Sequence, residues 1–213
     1  MSAPRNRFVL CIDEDTKILL AEKLRDRRLV LASSSPRRRE ILKLAGLDFK
    51  VVVPQVSEGG NTDMEPKKYA LAQALCKLQS VTVNGAVVVA ADTIVVCNGQ
   101  ILGKPTDCED AARILRLLSG QKHYVYTALA IRDATTGNVV ADVEASRVIF
   151  RTLSETDIAD YIDSSEPLDK AGAYGIQGMG ELLVDRLDGR LSNVIGLPVQ
   201  LFVRLIGELD DDV

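Results

Sequence analysis

Apolar and polar positions along the chain switch repeatedly between a period of two and a period near 3.6, which predicts strands alternating with helices. Leu29-Val30-Leu31-Ala32 is a short apolar run that breaks into Ser33-Ser34-Ser35-Pro36, after which Ile41, Leu42, Leu44 and Ala45 recur at helical spacing. That order predicts a strand, a tight loop and a helix start, because serine caps helices well and proline suits their first position. Phe49 to Val53 is a second strand, and Glu65-Pro66 opens a helix whose apolar side carries Tyr69, Leu71, Ala72, Leu75 and Leu78. Ala86 to Cys97 is almost continuously apolar, as in a strand covered on both faces. Asn98-Gly99 then marks a type I′ hairpin, with Ile101-Leu102 starting the return strand. Thr106-Asp107-x-Glu109 caps a helix striped by Ala111, Ala112, Ile114, Leu115 and Leu118. Two strands, Tyr124 to Ala134 and Val139 to Phe150, flank the turn Thr136-Gly137-Asn138. Ser154-Glu155-x-Asp157 starts a helix through Ile158, Tyr161 and Ile162, and an amphipathic helix opened by Pro198 runs over Leu197 to Leu209. Ahead of all this, Met1 to Arg28 reads as an N-terminal extension (residues 1–28), in which Asp15-Thr16 caps a helix carrying Ile18, Leu19, Ala21 and Leu24. Residues 29–210 then form a single α/β domain with a mixed sheet.

Composition narrows the function. With 213 residues, 46% of them hydrophobic, the chain can bury a core as one domain or as two small lobes. A net charge of −4 and an aromatic content of 4% without tryptophan oppose binding to a nucleic-acid polymer. Cys11, Cys76, Cys97 and Cys108 form no C-x-x-C pair and there is one histidine, so zinc is not expected and free thiols in a reducing compartment are. No apolar run approaches the roughly 18 residues of a membrane span, and Asp13-Glu14-Asp15 interrupts the N-terminal apolar stretch where a signal peptide would need continuity. The expected location is the cytoplasm, with no membrane partner.

The chemistry gathers at strand ends and loops. Arg37, Arg38 and Arg39 occupy the first turn of a helix, where cations oppose the helix dipole; their presence beside free backbone donors points to a polyanion. Asp92, inside the apolar strand, needs a metal, a cation or hydrogen bonds in a cleft, or else bonds to backbone as a structural aspartate. Lys104, held between Gly103 and Pro105, can reach back to the same cleft because the hairpin returns its strand beside the first; taken alone it is an ordinary turn lysine. A dense patch from Ser164 to Gly178 combines small residues with Asp169, Lys170, Tyr174 and Gln177, allowing close backbone approach to a ligand. No phosphate-binding G-x-x-x-x-G-K-[ST], no G-x-G-x-x-G after a strand and no G-x-S-x-G is present, and His123 reads as a core or surface histidine rather than a base.

The set Ser33-x-Ser35-Pro36-Arg37-Arg38, Ala91-Asp92-Thr93, Gly103-Lys104-Pro105 and Glu166-Pro167-x-Asp169-Lys170-Ala171-Gly172-Ala173-Tyr174-Gly175-Ile176-Gln177-Gly178 resembles the Maf family of nucleoside triphosphate pyrophosphatases, historically called septum formation proteins. The likeness runs in register from about Leu29 to Leu205, and its details look like the branch acting on dTTP and UTP. The resemblance implies an elongated, two-lobed Maf/ITPase-like fold with a central mixed, twisted sheet flanked by helices and a deep cleft between the lobes. It implies hydrolysis of a nucleoside triphosphate to the monophosphate and pyrophosphate with a divalent metal, Mg2+ or Mn2+, and a homodimer. By position, Asp92 matches the family's catalytic acid, and Glu58 and Lys77 match a further acid and lysine, although Ser57 and Gly59-Gly60 around Glu58 depart from the usual pattern of two acids. Arg37, Thr93 and Gln177 match positions associated with substrate choice.

On this reading Arg37, Arg38, Lys77, Lys104 and Lys170 offset the triphosphate charge, helped by the helix start at Ser35. Asp92 is the base, with Glu58 and Asp169 at the metal, although Asp92 can equally be a ligand, since one carboxylate serves both roles through a bound water. Gln177 offers both an acceptor and donors to the O4/N3 edge of uracil or thymine. Two alternatives stand beside it: a pyrophosphatase for modified or deaminated triphosphates, and a nucleotide-binding regulator of cell division without catalysis.

Overall fold

The computed structural model describes residues 7–56 and 64–211, with side chains described to 209. Strands β1 (Arg28–Ala32), β2 (Phe49–Val52), β3 (Ala86–Cys97), β4 (Gln100–Leu102), β5 (Lys122–Asp133), β6 (Val139–Phe150) and β7 (Val184–Asp188) alternate with helices α1 (Glu14–Lys23), α2 (Pro36–Leu44), α3 (Pro66–Gln79), α4 (Cys108–Leu118), α5 (Glu155–Asp163), α6 (Leu191–Ile195) and α7 (Val199–Asp211). They build a seven-stranded sheet in the order β2-β1-β3-β5-β6-β7, with β4 paired to β3. The sheet is mixed, as the alternation of helical crossovers and hairpins predicts. β1 runs parallel to both β2 and β3, with Leu31 opposite Val51 and Val89, whereas β3–β4 and β6–β7 are antiparallel. Parallel neighbours need a crossover, and α2 and α3 supply the two that β1, β2 and β3 require.

The chain forms two compact units. The parallel unit holds the described residues of 11–92, 127–144 and 196–211; the hairpin unit holds those of 7–10, 93–126 and 145–195. In the parallel unit, Leu29, Leu31, Val88 and Val89 of the sheet, Ile41 and Leu42 of α2, Ala70, Ala74 and Leu78 of α3, and Phe202, Leu205 and Ile206 of α7 are buried. In the hairpin unit the buried set includes Ala111, Ile114, Leu115 and Leu118 of α4, Val125, Phe150, Ile158 and Tyr161. Asn98 and Gly99 take φ values of 51° and 79°, the left-handed pair that a type I′ turn requires.

The extension differs in detail from the prediction. α1 is capped by Asp13, whose carboxylate accepts from the Thr16 N–H at 2.8 Å, rather than by Asp15-Thr16. Ile18 and Leu19 are 55% and 39% exposed, while Leu20 and Leu24, one turn apart, are buried. Packing of α1 beside α7, where Lys23 stands next to Gly207, selects that stripe from a helix with apolar residues on several faces. In α3 the buried stripe is Ala70, Ala74, Lys77 and Leu78, with Ala72 exposed, so a lysine occupies a core-facing position.

Candidate active site

In the parallel unit β1 ends at Ala32 and the loop Ser33-Ser34-Ser35 turns the chain into α2. Ser35 is the N-cap, its hydroxyl accepting from the Arg38 N–H at 3.5 Å, and Ser33 Oγ accepts from the Ser35 N–H at 3.1 Å. The three arginines divide their work. Arg38 is buried, with Nε donating to the Gly196 carbonyl at 2.8 Å and Nη1 to Ser33 Oγ at 3.1 Å. Arg39 turns back onto the Ser34 carbonyl at 3.1 Å, and Arg37 is half-buried at the helix start. Two of the three cations therefore brace the serine loop, which offsets the unfavourable placement of positive charge at a helix N-terminus.

Ser33, Ser34, Arg38, Val53, Pro54, Val56 and Lys77 line a small open pocket. Lys77 enters it from α3 and meets Asp92 of β3, Nζ to Oδ1, at 2.6 Å, with the two side chains only 9% and 13% exposed. Helix and strand thus supply one partner each, and the aspartate in the apolar strand is matched by the lysine in the apolar helix stripe. Oδ2 is the Asp92 oxygen that this ion pair does not engage. Glu58 lies outside the described residues.

The hairpin unit holds Thr93, Lys104, Asp169, Lys170 and Gln177. Thr93 shares a strand face with Val95, and Gly172 packs directly on Val95: a Cβ there would stand 2.8 Å from its methyl group. Gly172 has φ 69° and its N–H donates to the Gly103 carbonyl at 2.9 Å, next to the exposed Lys104. Lys170 Nζ donates to the Glu166 carbonyl at 2.5 Å and to Asp169 Oδ1 at 2.7 Å, while its stem packs on Gly175. Gln177 is exposed. The structure thus gathers Ser33, Ser35, Arg37, Arg38, Lys77 and Asp92 in one unit and the loop residues in the other, with Asp92 and Thr93 joined by a peptide bond.

Three contributors to the candidate site, and one buried polar residue away from it, escaped the sequence reading. Glu166 and Tyr161 bind the loop that carries Gln177, Asn193 is buried with Nδ2 donating to the Val125 carbonyl and Ser146 Oγ, and Gly196 supplies the carbonyl that holds Arg38. Glu166 and Asn193 had a weak signal, a polar residue inside a motif or apolar segment; Tyr161 looked like any core aromatic.

His123 is a core histidine, as one of its two readings had it. It is fully buried, its Nε2 lies 2.7 Å from the Tyr174 hydroxyl, and its ring packs edge-on to Phe150 and Tyr174. Burial pushes its pKa from 6.5 down to about 4, so it is neutral at pH 7 and stands among core rings. The unfolded chain takes up this proton near 6.5 and the folded chain only near 4, so the contribution is complete above 6.5 and is lost as the pH falls through that window. The loss amounts to about 3 kcal/mol. Urea unfolding at pH 7 and 4.5 is expected to show a smaller acid loss in His123→Gln than in wild type; equal losses would remove the histidine as its cause.

An α/β chain with a cation-braced serine loop, a part-buried lysine–aspartate pair and a glycine-rich polar loop has the make-up of an enzyme acting on a polyanionic small molecule. The Maf family model (Maf-like protein) matches residues 28–209, and the chain belongs to that family. It is 44% identical over 186 residues to a dTTP/UTP pyrophosphatase of Dictyoglomus thermophilum, covering 86% of this chain and 96% of the relative. Proteins of the same name from Bdellovibrio bacteriovorus and Thermus thermophilus are 44% and 47% identical, covering 84% of this chain in both cases and 97% and 92% of the relatives. A solved HAM1 protein from Coxiella burnetii overlaps 85% of this chain and 99% of its own at 14% identity and a TM-score of 0.49, too distant to carry an argument.

Proposed function

We propose that this protein hydrolyses nucleoside triphosphates, dTTP and UTP foremost, to the monophosphate and pyrophosphate. The observation that carries the reading is the Lys77–Asp92 pair at 2.6 Å, with Lys77 lining the pocket beneath the serine loop. Cleavage between the α and β phosphorus atoms needs charge neutralisation and one aligned water, more than covalent chemistry from the protein. Lys77 holds Asp92 in one orientation, and Asp92 Oδ2 takes the proton of the attacking water. Ser35 and Arg37 bind phosphate at the start of α2, with Arg38 holding their loop in shape. Lys104, Lys170 and Asp169 belong to the triphosphate side of the reaction, and Thr93 and Gln177 to recognition of the base, Gln177 by pairing with its O4/N3 edge.

Among the described residues no three His, Cys, Asp or Glu side chains gather as a metal cage. A magnesium-type ion does not need one, since it takes one or two carboxylates and completes its shell with water and phosphate oxygens. Asp92 suits one such carboxylate through Oδ2, the oxygen that Lys77 does not engage; Glu58, the second acid the resemblance implies, lies outside the described residues. When bound, such an ion, Mg2+ or Mn2+, neutralises phosphate charge. No described helix is long and apolar enough to cross a membrane. A cytoplasmic homodimer is the proposed working form, and light scattering of the purified chain tests the dimer.

Pyrophosphate release across a panel of canonical, deaminated and methylated triphosphates tests the activity. Turnover concentrated on dTTP and UTP is expected. Preference for inosine or methylated-guanine substrates would keep the reaction and overturn the base assignment; nucleotide binding without any release would make the protein a regulator.

A further inference from the structure

Gln177 is exposed, yet the backbone on either side of it is tied down symmetrically. Two residues before it, the Gly175 N–H donates to the Tyr161 hydroxyl at 3.1 Å; two residues after it, the Met179 N–H donates to Glu166 Oε1 at 3.2 Å. Both acceptors come from one short stretch, the end of α5 and the 3-10 turn Glu166–Asp169 that follows. Glu166 also anchors the far end of the loop, because its carbonyl accepts from Lys170 Nζ at 2.5 Å. The seat is tight. A Cβ on Gly178 would stand 2.8 Å from Glu166 Oε1, and one on Gly180 2.9 Å from the Tyr161 oxygen. Burial, with the charge of Glu166 adding to it, raises the Tyr161 pKa, so the phenol stays a neutral hydroxyl.

We propose that Glu166, together with Tyr161, is a positioning residue for base selection: the pair brackets the backbone around Gln177 and thereby sets the preference for uracil and thymine over cytosine. Discrimination by hydrogen bonding depends on placing an amide to within a fraction of an ångström, and an exposed glutamine on an untethered glycine-rich loop would not be so placed. The proposal rests on the hydrolase reading above.

The test is kcat and KM for UTP and CTP in wild type, Glu166→Gln, Glu166→Ala and Tyr161→Phe, with amide hydrogen exchange followed at Gly175 and Met179. Glu166→Ala is expected to lower the UTP-over-CTP ratio of kcat/KM about tenfold, the loss falling on KM for UTP, and to speed exchange at Met179. Glu166→Gln keeps an oxygen for the Met179 N–H and holds the ratio within about twofold of wild type. Tyr161→Phe lowers the ratio and speeds exchange at Gly175. Should Glu166→Ala not fold, Tyr161→Phe, which removes only a hydroxyl, decides the matter. Unchanged ratios in the folded variants, or a loss in Glu166→Gln as large as in Glu166→Ala, overturn the positioning role. A wild type that turns over no triphosphate overturns the hydrolase reading itself.

Discussion

Replacing Asp92 by Asn is expected to lower kcat for dTTP about a thousandfold while the chain stays folded. The substitution is nearly isosteric, and the amide oxygen still accepts from Lys77 Nζ, now at 2.6 Å from Oδ1. The ammonium keeps a hydrogen bond and loses its counter-charge, at a cost of about 1–2 kcal/mol. What disappears is the capacity to take a proton from water or to hold a cation. Lys77→Met reverses the emphasis. It leaves a carboxylate 13% exposed inside an apolar strand with its cation gone, and costs about 3 kcal/mol or more. The pair of variants therefore separates chemistry from folding: Asp92→Asn loses more activity per unit of stability than Lys77→Met. Pyrophosphate release and urea unfolding on the same preparations give both quantities. Retention of a tenth of wild-type kcat in Asp92→Asn would remove Asp92 from the reaction.

Where local chemistry and tertiary packing agree, the sequence pattern located elements closely. β3 runs over Ala86–Cys97 as predicted, because its apolar run ends in Asn98-Gly99, which can only turn. All five predicted core positions of α4 are buried, because its polar face is unambiguous and Asp107 caps it. α1 shows the opposite case. Its apolar residues at 18, 19, 20, 21 and 24 are spread around the helix, so periodicity could not choose a face, and the neighbouring α7 did. The region from Glu166 to Ile195 is built of 3-10 turns, a five-residue strand and a five-residue helix. None is long enough to show a period, and its chain direction is set by glycines and by side-chain acceptors far away in sequence.

The site was legible as an inventory and less so as a geometry. Asp92 announced itself as a charge in an apolar strand, but its partner Lys77 sits fifteen residues earlier in a helix stripe, and only the fold shows that the two meet. The arginines were legible as a cluster, yet their division of labour depends on Gly196, 158 residues from Arg38. Backbone carbonyls and N–H groups carry no residue-type signature, which is why the Gly196 carbonyl that holds Arg38, and the Gly175 and Met179 N–H groups that Tyr161 and Glu166 hold around Gln177, could not be read from residue types.

Gly180→Ala is expected to be the most damaging single methyl in the hairpin unit. The added Cβ would stand 1.9 Å from the Gly175 carbonyl oxygen and 3.0 Å from its carbon, and neither is the movable tip of a side chain. Relief requires displacing the Gly175 backbone, which breaks its N–H bond to Tyr161, or moving the 3-10 turn over Gly178–Leu183 away from it. Overpacking of this kind costs about 3 kcal/mol. Gly103→Ala is the control, since a Cβ there meets nothing within 4 Å and its φ needs no left-handed geometry. Urea unfolding should therefore shift strongly for Gly180→Ala and by less than about 0.5 kcal/mol for Gly103→Ala. Because the strain falls on the segment that flanks Gln177, the folded fraction of Gly180→Ala should also discriminate UTP from CTP less well than wild type. Full stability in Gly180→Ala would mean that this loop yields easily, and a loop that yields so easily could not fix the amide of Gln177.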